Sequence, residues 1–220
     1  MFFFFTHKTN SSLILKSKTM KNLLSILFLV AFFIGSSHAQ RNALASGTKA
    51  PNTKFSDIEG NNYKLSDMVK DNDKVLLCFM RPVWCPVCNA RTHELIDNYE
   101  RLKEKGFEII VIYPTPAATL KEYVTDLSIP FIVVSDYNEE LYGLYQVEKD
   151  SKKVMAFSKH ESGKNRMKQG KKLYKGKKYP TKGDNHGPLV PADFVLDKDQ
   201  ILLNVYYGEF MGDHLPLDTL

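Results

Sequence analysis

Cysteine is scarce in this 220-residue chain, which holds three, at Cys78, Cys85 and Cys88. An exported protein stapled by disulfides scatters an even number of cysteines along its length, so this set excludes a disulfide scaffold and points to thiol chemistry. A purely structural bridge between Cys85 and Cys88 is disfavoured as well, because so short a loop removes little entropy from the unfolded chain. Zinc lacks its second half: a Cys-x-x-Cys pair needs another such pair or suitably spaced histidines, and neither is present. His160 and His186 have no companion pattern and read as loop residues.

Acidic residues are absent from Met1 to Gln40. Lys16, Lys18 and Lys21 precede the apolar run Leu23 to Ile34, and Gly35-Ser36-Ser37-His38-Ala39 ends in small residues. This is the layout of a secretory signal cleaved after Ala39. The run falls well short of the roughly 20 residues that span a bilayer, which argues against a retained anchor. No cysteine follows it, which argues against a lipid-anchored form. Met20 reads as the natural start of the signal, with Met1 to Thr19 an upstream extension. The expected organisation is therefore a signal over 1–39, a linker over 40–46 and one domain over 47–220, in a periplasmic or secreted protein.

The net charge of +5 misleads, because Lys8, Lys16, Lys18 and Lys21 leave with the signal. Charge is instead separated within the domain. Between Glu148 and Asp184 thirteen lysines and arginines face four acidic residues, so the rest of the mature chain is net acidic. This basic insertion, over 148–189, has two readings that composition leaves open. One is an anionic surface contact; the other is a solvated, partly disordered segment whose charge keeps it soluble. Met155, Phe157, Met167, Leu173, Tyr174 and Tyr179 give it apolar surface to lay over a core. Nucleic acid is not expected as a partner of an exported protein.

The one tryptophan, Trp84, stands in the stretch that organises the chain, Trp84-Cys85-Pro86-Val87-Cys88. The apolar run Val75 to Met80 predicts a buried strand feeding this turn, and Pro86 to Lys105 predicts the helix leaving it. Cys85 then stands at or beside the helix N-cap with Pro86 at the first helical position, where its missing N–H costs nothing. Unpaired N–H groups and the helix dipole can pull a thiol pKa from about 8.5 into the range of roughly 3.5 to 7.5. Arg81 and Arg91 add positive charge nearby. The expectation is an exposed, acidified Cys85, with Cys88 one turn deeper able to attack any mixed disulfide formed on it. Cys78, inside the apolar strand, reads as an inert buried residue.

The remaining elements follow in order. Gly60-Asn61-Asn62 predicts a hairpin, with Ser66 or Asp67 capping a short helix after it. Along the Pro86 helix, Cys88, Thr92, Leu95, Tyr99 and Leu102 share one face, and Gly106 ends it. Next come a strand over Phe107 to Tyr113, a helix over Ala117 to Leu127, a strand over Phe131 to Val134 and a helical pattern over Asp136 to Gln146. Phe194 to Leu196 and Ile201 to Tyr207 form an antiparallel hairpin, and Gly212 to Leu220 begins a terminal helix. Fully apolar strands alternating with helices mean an α/β fold with a mixed sheet buried on both faces.

Gly47 to Asp67, Phe79 to Cys88 and Ala192 to Asp197 together resemble the redoxin group, the alkyl hydroperoxide reductase and thiol-specific antioxidant branch of the thioredoxin-like proteins. The resemblance is closest to peroxiredoxin-like members with a Cys-Pro-x-Cys centre. It implies a thioredoxin fold with an N-terminal hairpin extension, and it makes Val190 and Pro191, the latter cis, the substrate-facing backbone. Peroxide-reducing relatives place a proline seven residues before the attacking cysteine, a threonine or serine three before it, and an arginine on a later strand. Here those positions hold Cys78 and Pro82, with the third near Pro191. Trp84, Pro86 and Pro191 resemble thiol–disulfide exchange proteins instead. A glutamate three residues after the second cysteine, common in related centres, is replaced by Arg91, with Glu94 a turn further on.

The reading is an oxidoreductase in which Cys85 is the nucleophile, Cys88 resolves, Trp84, Pro86 and Pro191 shape the contact surface, and Arg81 and Arg91 favour the thiolate. Its partners would be a disulfide-bearing protein or peroxide and a thiol electron donor, with no metal or organic cofactor. The alternatives are an antioxidant thiol peroxidase, in which Cys85 is oxidised to sulfenic acid and Cys88 condenses with it, and a redox-silent binding module acting through the basic insertion.

Overall fold

A computed structural model describes Met1 and residues 43–174 and 186–220. Residues 2–39 of the expected signal, 40–42 of the linker and 175–185 of the insertion lie outside the described residues. The fold is built on strand β3 (Lys74–Phe79), whose residues Val75 to Phe79 are all buried. It pairs in parallel with β4 (Phe107–Tyr113) and antiparallel with β6 (Ala192–Asp197). Strand β5 (Ile132–Ser135) extends the sheet beyond β4 in parallel, and β7 (Leu202–Tyr207) extends it beyond β6 antiparallel, giving the order β5-β4-β3-β6-β7. This is the mixed α/β sheet of a thioredoxin fold.

Side chains on β3 alternate between two cores. Leu76, Cys78 and Met80 pack with α2 (Pro86–Asp97) and α4 (Ala117–Leu127), while Val75, Leu77 and Phe79 pack with α1 (Leu65–Asp71) and α5 (Glu140–Leu144). Burial on both faces explains why the strand reads as an unbroken apolar run, since no position is left for a polar residue. Each such side chain contributes about 1.5–3 kcal/mol by leaving water.

The hairpin stands apart as β1 (Lys54–Ser56) and β2 (Asn62–Lys64), turned at Gly60 with φ +92° and held by the Asp57 carboxylate, which accepts from the Glu59 and Asn61 N–H groups. Helix α1 starts earlier than expected, so Ser66 and Asp67 lie inside its first turn; the Ser66 N–H is satisfied by the Asn52 side chain at 3.2 Å.

The long helix expected from Pro86 divides at Asn98 into α2 and α3 (Tyr99–Glu104). The Asn98 N–H still makes the helical bond to Glu94 O at 3.2 Å, but its side chain donates to the same oxygen at 2.8 Å and its backbone, at φ −104° and ψ 4°, leaves the helical range. The expected helix over Asp136 to Gln146 shortens to α5, because Asp136 stands outside it and accepts from the Glu140, Leu141 and Tyr142 N–H groups. No terminal helix starts at Gly212, which has φ +87°; the end carries one 3-10 turn, Leu217–Thr219.

The basic insertion is built as helix through Tyr174. Asp150 caps α6 (Ser151–Ala156) by accepting from the Lys152 and Lys153 N–H groups, and after a 3-10 turn α7 (Glu161–Leu173) follows. Within these residues the partly disordered reading is therefore replaced by a helix docked on α2.

Candidate active site

Cys85 is the N-cap of α2, with Pro86 in the first turn and a backbone at φ −77° and ψ 115°. The turn is closed by the Cys85 N–H donating to Pro82 O at 2.9 Å, and the helix begins with the Asn89 N–H on Cys85 O at 3.1 Å. Strand β3 thus delivers the two thiols to a helix start, where donors outnumber acceptors.

Their acidities are driven apart. The Cys88 thiol donates toward Cys85 and holds its pKa down to about 6; burial opposes this, while the Arg81 guanidinium and the Cys88 and Val87 N–H groups add to it. Cys88 is pushed well above the usual thiol value by burial first and then by the charge forming on Cys85. The Arg81 N–H donates to Cys88 Sγ at 3.3 Å, which fixes that sulfur against the end of β3. The pair is therefore one acidic thiol with one protonated neighbour, the asymmetry that thiol exchange requires.

Arg81 lies at the centre. It is buried, its Nη1 donates to Leu189 O at 2.8 Å, and its charge favours the Cys85 thiolate. Arg91 does not act on Cys85. Its fully buried guanidinium sits 3.1 Å from Glu94 and 3.5 Å from Asp193 and donates to Leu215 O at 2.9 Å, so its charge faces Asp193 and Cys78. It holds the carboxy-terminal segment rather than the thiolate. Glu94, bound by both Arg91 and Arg166, is held below the ordinary carboxylate range in spite of its burial, so it carries no proton for Cys88 at neutral pH.

Pro191 departs from expectation. No cis peptide bond occurs among the described residues, so Val190–Pro191 is trans. The Val190 N–H donates to Glu148 O at 2.8 Å and Pro191 O accepts from the Gly208 N–H at 2.9 Å, which ties the segment to the start of the insertion and to the end of β7. Val190 nonetheless belongs to the same core cluster as Cys85 and Cys88, and Trp84 packs partly buried against it.

Cys85 is not exposed: 2% of its surface reaches solvent. Met211 touches it, and α7, with the Tyr174 expected to lie over the core, packs on Val83 and Pro86 beside it. Met211 Sδ lies 3.8 Å from Cys85 Sγ. The Tyr174 hydroxyl, at the end of α7, donates to Val83 O. The backbone of α7 also crosses the first turn of α2 at Gly170 so closely that a Cβ there would stand 1.7 Å from Pro86 O. Helix propensity alone would make Gly170→Ala stabilising by about 0.5–1 kcal/mol. The crossing reverses that sign: Gly170→Ala lowers stability by about 1–3 kcal/mol, the usual penalty for an over-packed contact, and iodoacetamide modifies Cys85 faster. A melting curve and a labelling time course check both, and an unchanged labelling rate would show that α7 does not shield the sulfur.

Beneath the pair lies a polar network that the motif reading missed. Asp193, on β6 opposite Cys78, accepts from His214 Nδ1 at 3.0 Å and from the Leu215 N–H at 2.7 Å. His214 and Arg91 bring its pKa down to about 2 against the effect of burial. Burial pushes His214 below the ordinary histidine value, so at neutral pH its Nδ1–H donates to Asp193. A charged residue inside the apolar run Ala192 to Leu196 was the available signal, since a buried carboxylate demands partners. Nothing in the sequence marked His214.

The AhpC/TSA family model matches residues 46–205. "Thiol-disulfide oxidoreductase ResA" of Bacillus thuringiensis (strain Al Hakam) is 29% identical over 110 residues, covering 50% of this chain and 62% of that protein. "Putative peroxiredoxin Q, chloroplastic" of Oryza sativa subsp. indica is 30% identical over 93 residues, 42% of each chain. The chain thus spans less than two thirds of the length of these curated relatives. The crystal structure of peroxidoxin BcpB from Mycobacterium tuberculosis superposes with a TM-score of 0.56 over 77% of this chain and 90% of that one at 17% identity, which shows a common fold. With the match running from the linker into β7 and enclosing both thiols, the chain belongs to the AhpC/TSA family.

Proposed function

We propose that this protein is an exported thiol–disulfide oxidoreductase. The observation that carries the reading is the placement of two thiols at one helix start, Cys85 as the N-cap of α2 and Cys88 in its first turn with the Arg81 N–H on its sulfur, an arrangement that lowers Cys85 and raises Cys88. The Cys85 thiolate attacks one sulfur of a partner disulfide, forming a mixed disulfide and releasing the other sulfur as a thiolate. Cys88 loses its proton and attacks Cys85 Sγ, closing the Cys85–Cys88 disulfide and releasing the partner's second thiol. The partner gains two electrons, which a thiol donor later returns to the pair. Export is supported by the signal pattern over 1–39. The exposed lysines 164, 168, 171 and 172 on α7 place positive charge beside the redox helix, which suits a partner with an acidic face and association that weakens as salt rises.

One observation favours thiol peroxidase as a second reading. Arg81 brings a buried guanidinium to Cys85, where the hydroxyl and arginine of peroxide-reducing relatives are missing from Pro82 and the Pro191 region. In that reaction Cys85 takes an oxygen from peroxide as sulfenic acid, and Cys88 displaces it as water. Stopped-flow mixing of the reduced protein with insulin or with hydrogen peroxide separates the two. The proposal expects disulfide reduction to outpace peroxide consumption; rapid peroxide loss with no disulfide reduction would reverse the order.

A further inference from the structure

Between α2, α3, α7 and the carboxy-terminal segment lies a cavity of about 740 Å³, within the range of small-ligand sites. Its wall includes Glu94 from α2, Arg101 from α3, Arg166 from α7, and Gly212, Asp213 and His214 from the carboxy-terminal segment. Two features set it apart from an ordinary surface hollow. His214, a fully buried side chain, lines it, and with Nδ1 engaged by Asp193 its Nε2 has no hydrogen-bond partner among the described residues. Gly212 sits one residue from Met211, which touches Cys85, and a Cβ on it would stand 1.9 Å from Val87 Cγ1. The cavity thus shares the carboxy-terminal segment and α7 with the cover over the nucleophile, through Gly212 beside Met211 and through Ser162 and Arg166.

The lining selects the class of ligand. A polyanion would meet Glu94 and Asp213 as well as the two arginines, and an apolar molecule would strand charges of both signs away from water. Arg101 is held in place by Leu217 O at 2.8 Å and Asn98 at 3.2 Å, and Arg166 by Glu94 at 2.7 Å, so both guanidinium groups are positioned in advance. A carboxylate suits the arginines, an ammonium suits Glu94 and Asp213, and an N–H donor suits His214 Nε2. We propose that this cavity binds a short zwitterionic peptide. The proposal stands on the cavity's own charges and goes beyond the exchange reading above.

The test uses the full chain and S-methylglutathione, a zwitterionic tripeptide with no free thiol, so that binding is read without redox turnover. Calorimetric titration should show binding that weakens at least tenfold when the probe's amine is acetylated and its carboxylates are amidated. Ser162, exposed on the cavity wall and remote from the buried network, supplies a variant that folds normally: Ser162→Trp should also weaken binding at least tenfold. His214→Gln should do the same where its circular dichroism remains native. No binding at millimolar probe, equal affinity for the capped peptide, or full affinity in Ser162→Trp would each overturn the peptide site. Insulin reduction measured in the same preparations reports on the exchange reading separately, so either can fail alone.

Discussion

Cys85→Ser abolishes turnover of disulfide substrates, by about a thousandfold or more, because it removes the one acidic thiol at the helix start. Cys88→Ser behaves differently. The nucleophile survives, the resolving sulfur is gone, and mixed disulfides through Cys85 accumulate. Non-reducing electrophoresis and mass spectrometry of the trapped species check both outcomes and identify the partner. Trapping on Cys88 in the Cys85→Ser variant, equal in yield to trapping on Cys85, would reverse the assigned roles. Geometry predicts the contrary, because Cys88 is fully buried, bound by the Arg81 N–H and raised in pKa.

Asp193→Asn is expected to destabilise the fold by about 3–5 kcal/mol, the cost of leaving a buried charge without its counter-ion. Arg91 would keep its positive charge with Glu94 as its remaining carboxylate, and the bonds from His214 and the Leu215 N–H would be weakened or lost. For a domain of this size each kcal/mol lowers Tm by about 2–4 °C, so a fall of roughly ten degrees is expected by calorimetry. The pH dependence follows from the same pair. A carboxyl whose folded pKa is depressed contributes stability that is complete above its unfolded value, about 3.9, and lost as pH falls through its folded value. With Asp193 at about 2, the wild type should lose this contribution between roughly pH 4 and pH 2. The Asn variant should lack that part of the slope. A Tm within two degrees of wild type, by about the one kcal/mol conversion above, would show that the network is dispensable.

Local pattern made much of the fold legible. The run Phe107 to Tyr113 and the segment Ala117 to Leu127 form their strand and helix at the bounds their apolar periodicity implies. Cys85 and Cys88 were legible because Pro86 between them marks a helix start, and a helix start acts on thiols in a known direction. Features that depend on distant partners were not legible. Asp136 caps α5 from four residues away, and Arg91 turns from the thiols toward Asp193, more than a hundred residues later. Met211 touches the Cys85 sulfur and Gly170 crosses at Pro86 beside it, and no local window contains either contact. Composition alone described the insertion as a charge run, and it could not show that two buried glycines, Gly163 and Gly170, give α7 a face that packs closely.

The central claim is that Cys85 is the thiol made acidic by its neighbours. Ultraviolet titration of the reduced protein measures thiolate directly, without requiring a reagent to pass α7. One thiolate should form with a midpoint near pH 6, vanish in Cys85→Ser, and move to higher pH in Arg81→Met, where a stabilising positive charge is removed. A first thiolate appearing only near the ordinary value of about 8.5, or one that persists when Cys85 is replaced, would contradict the assignment.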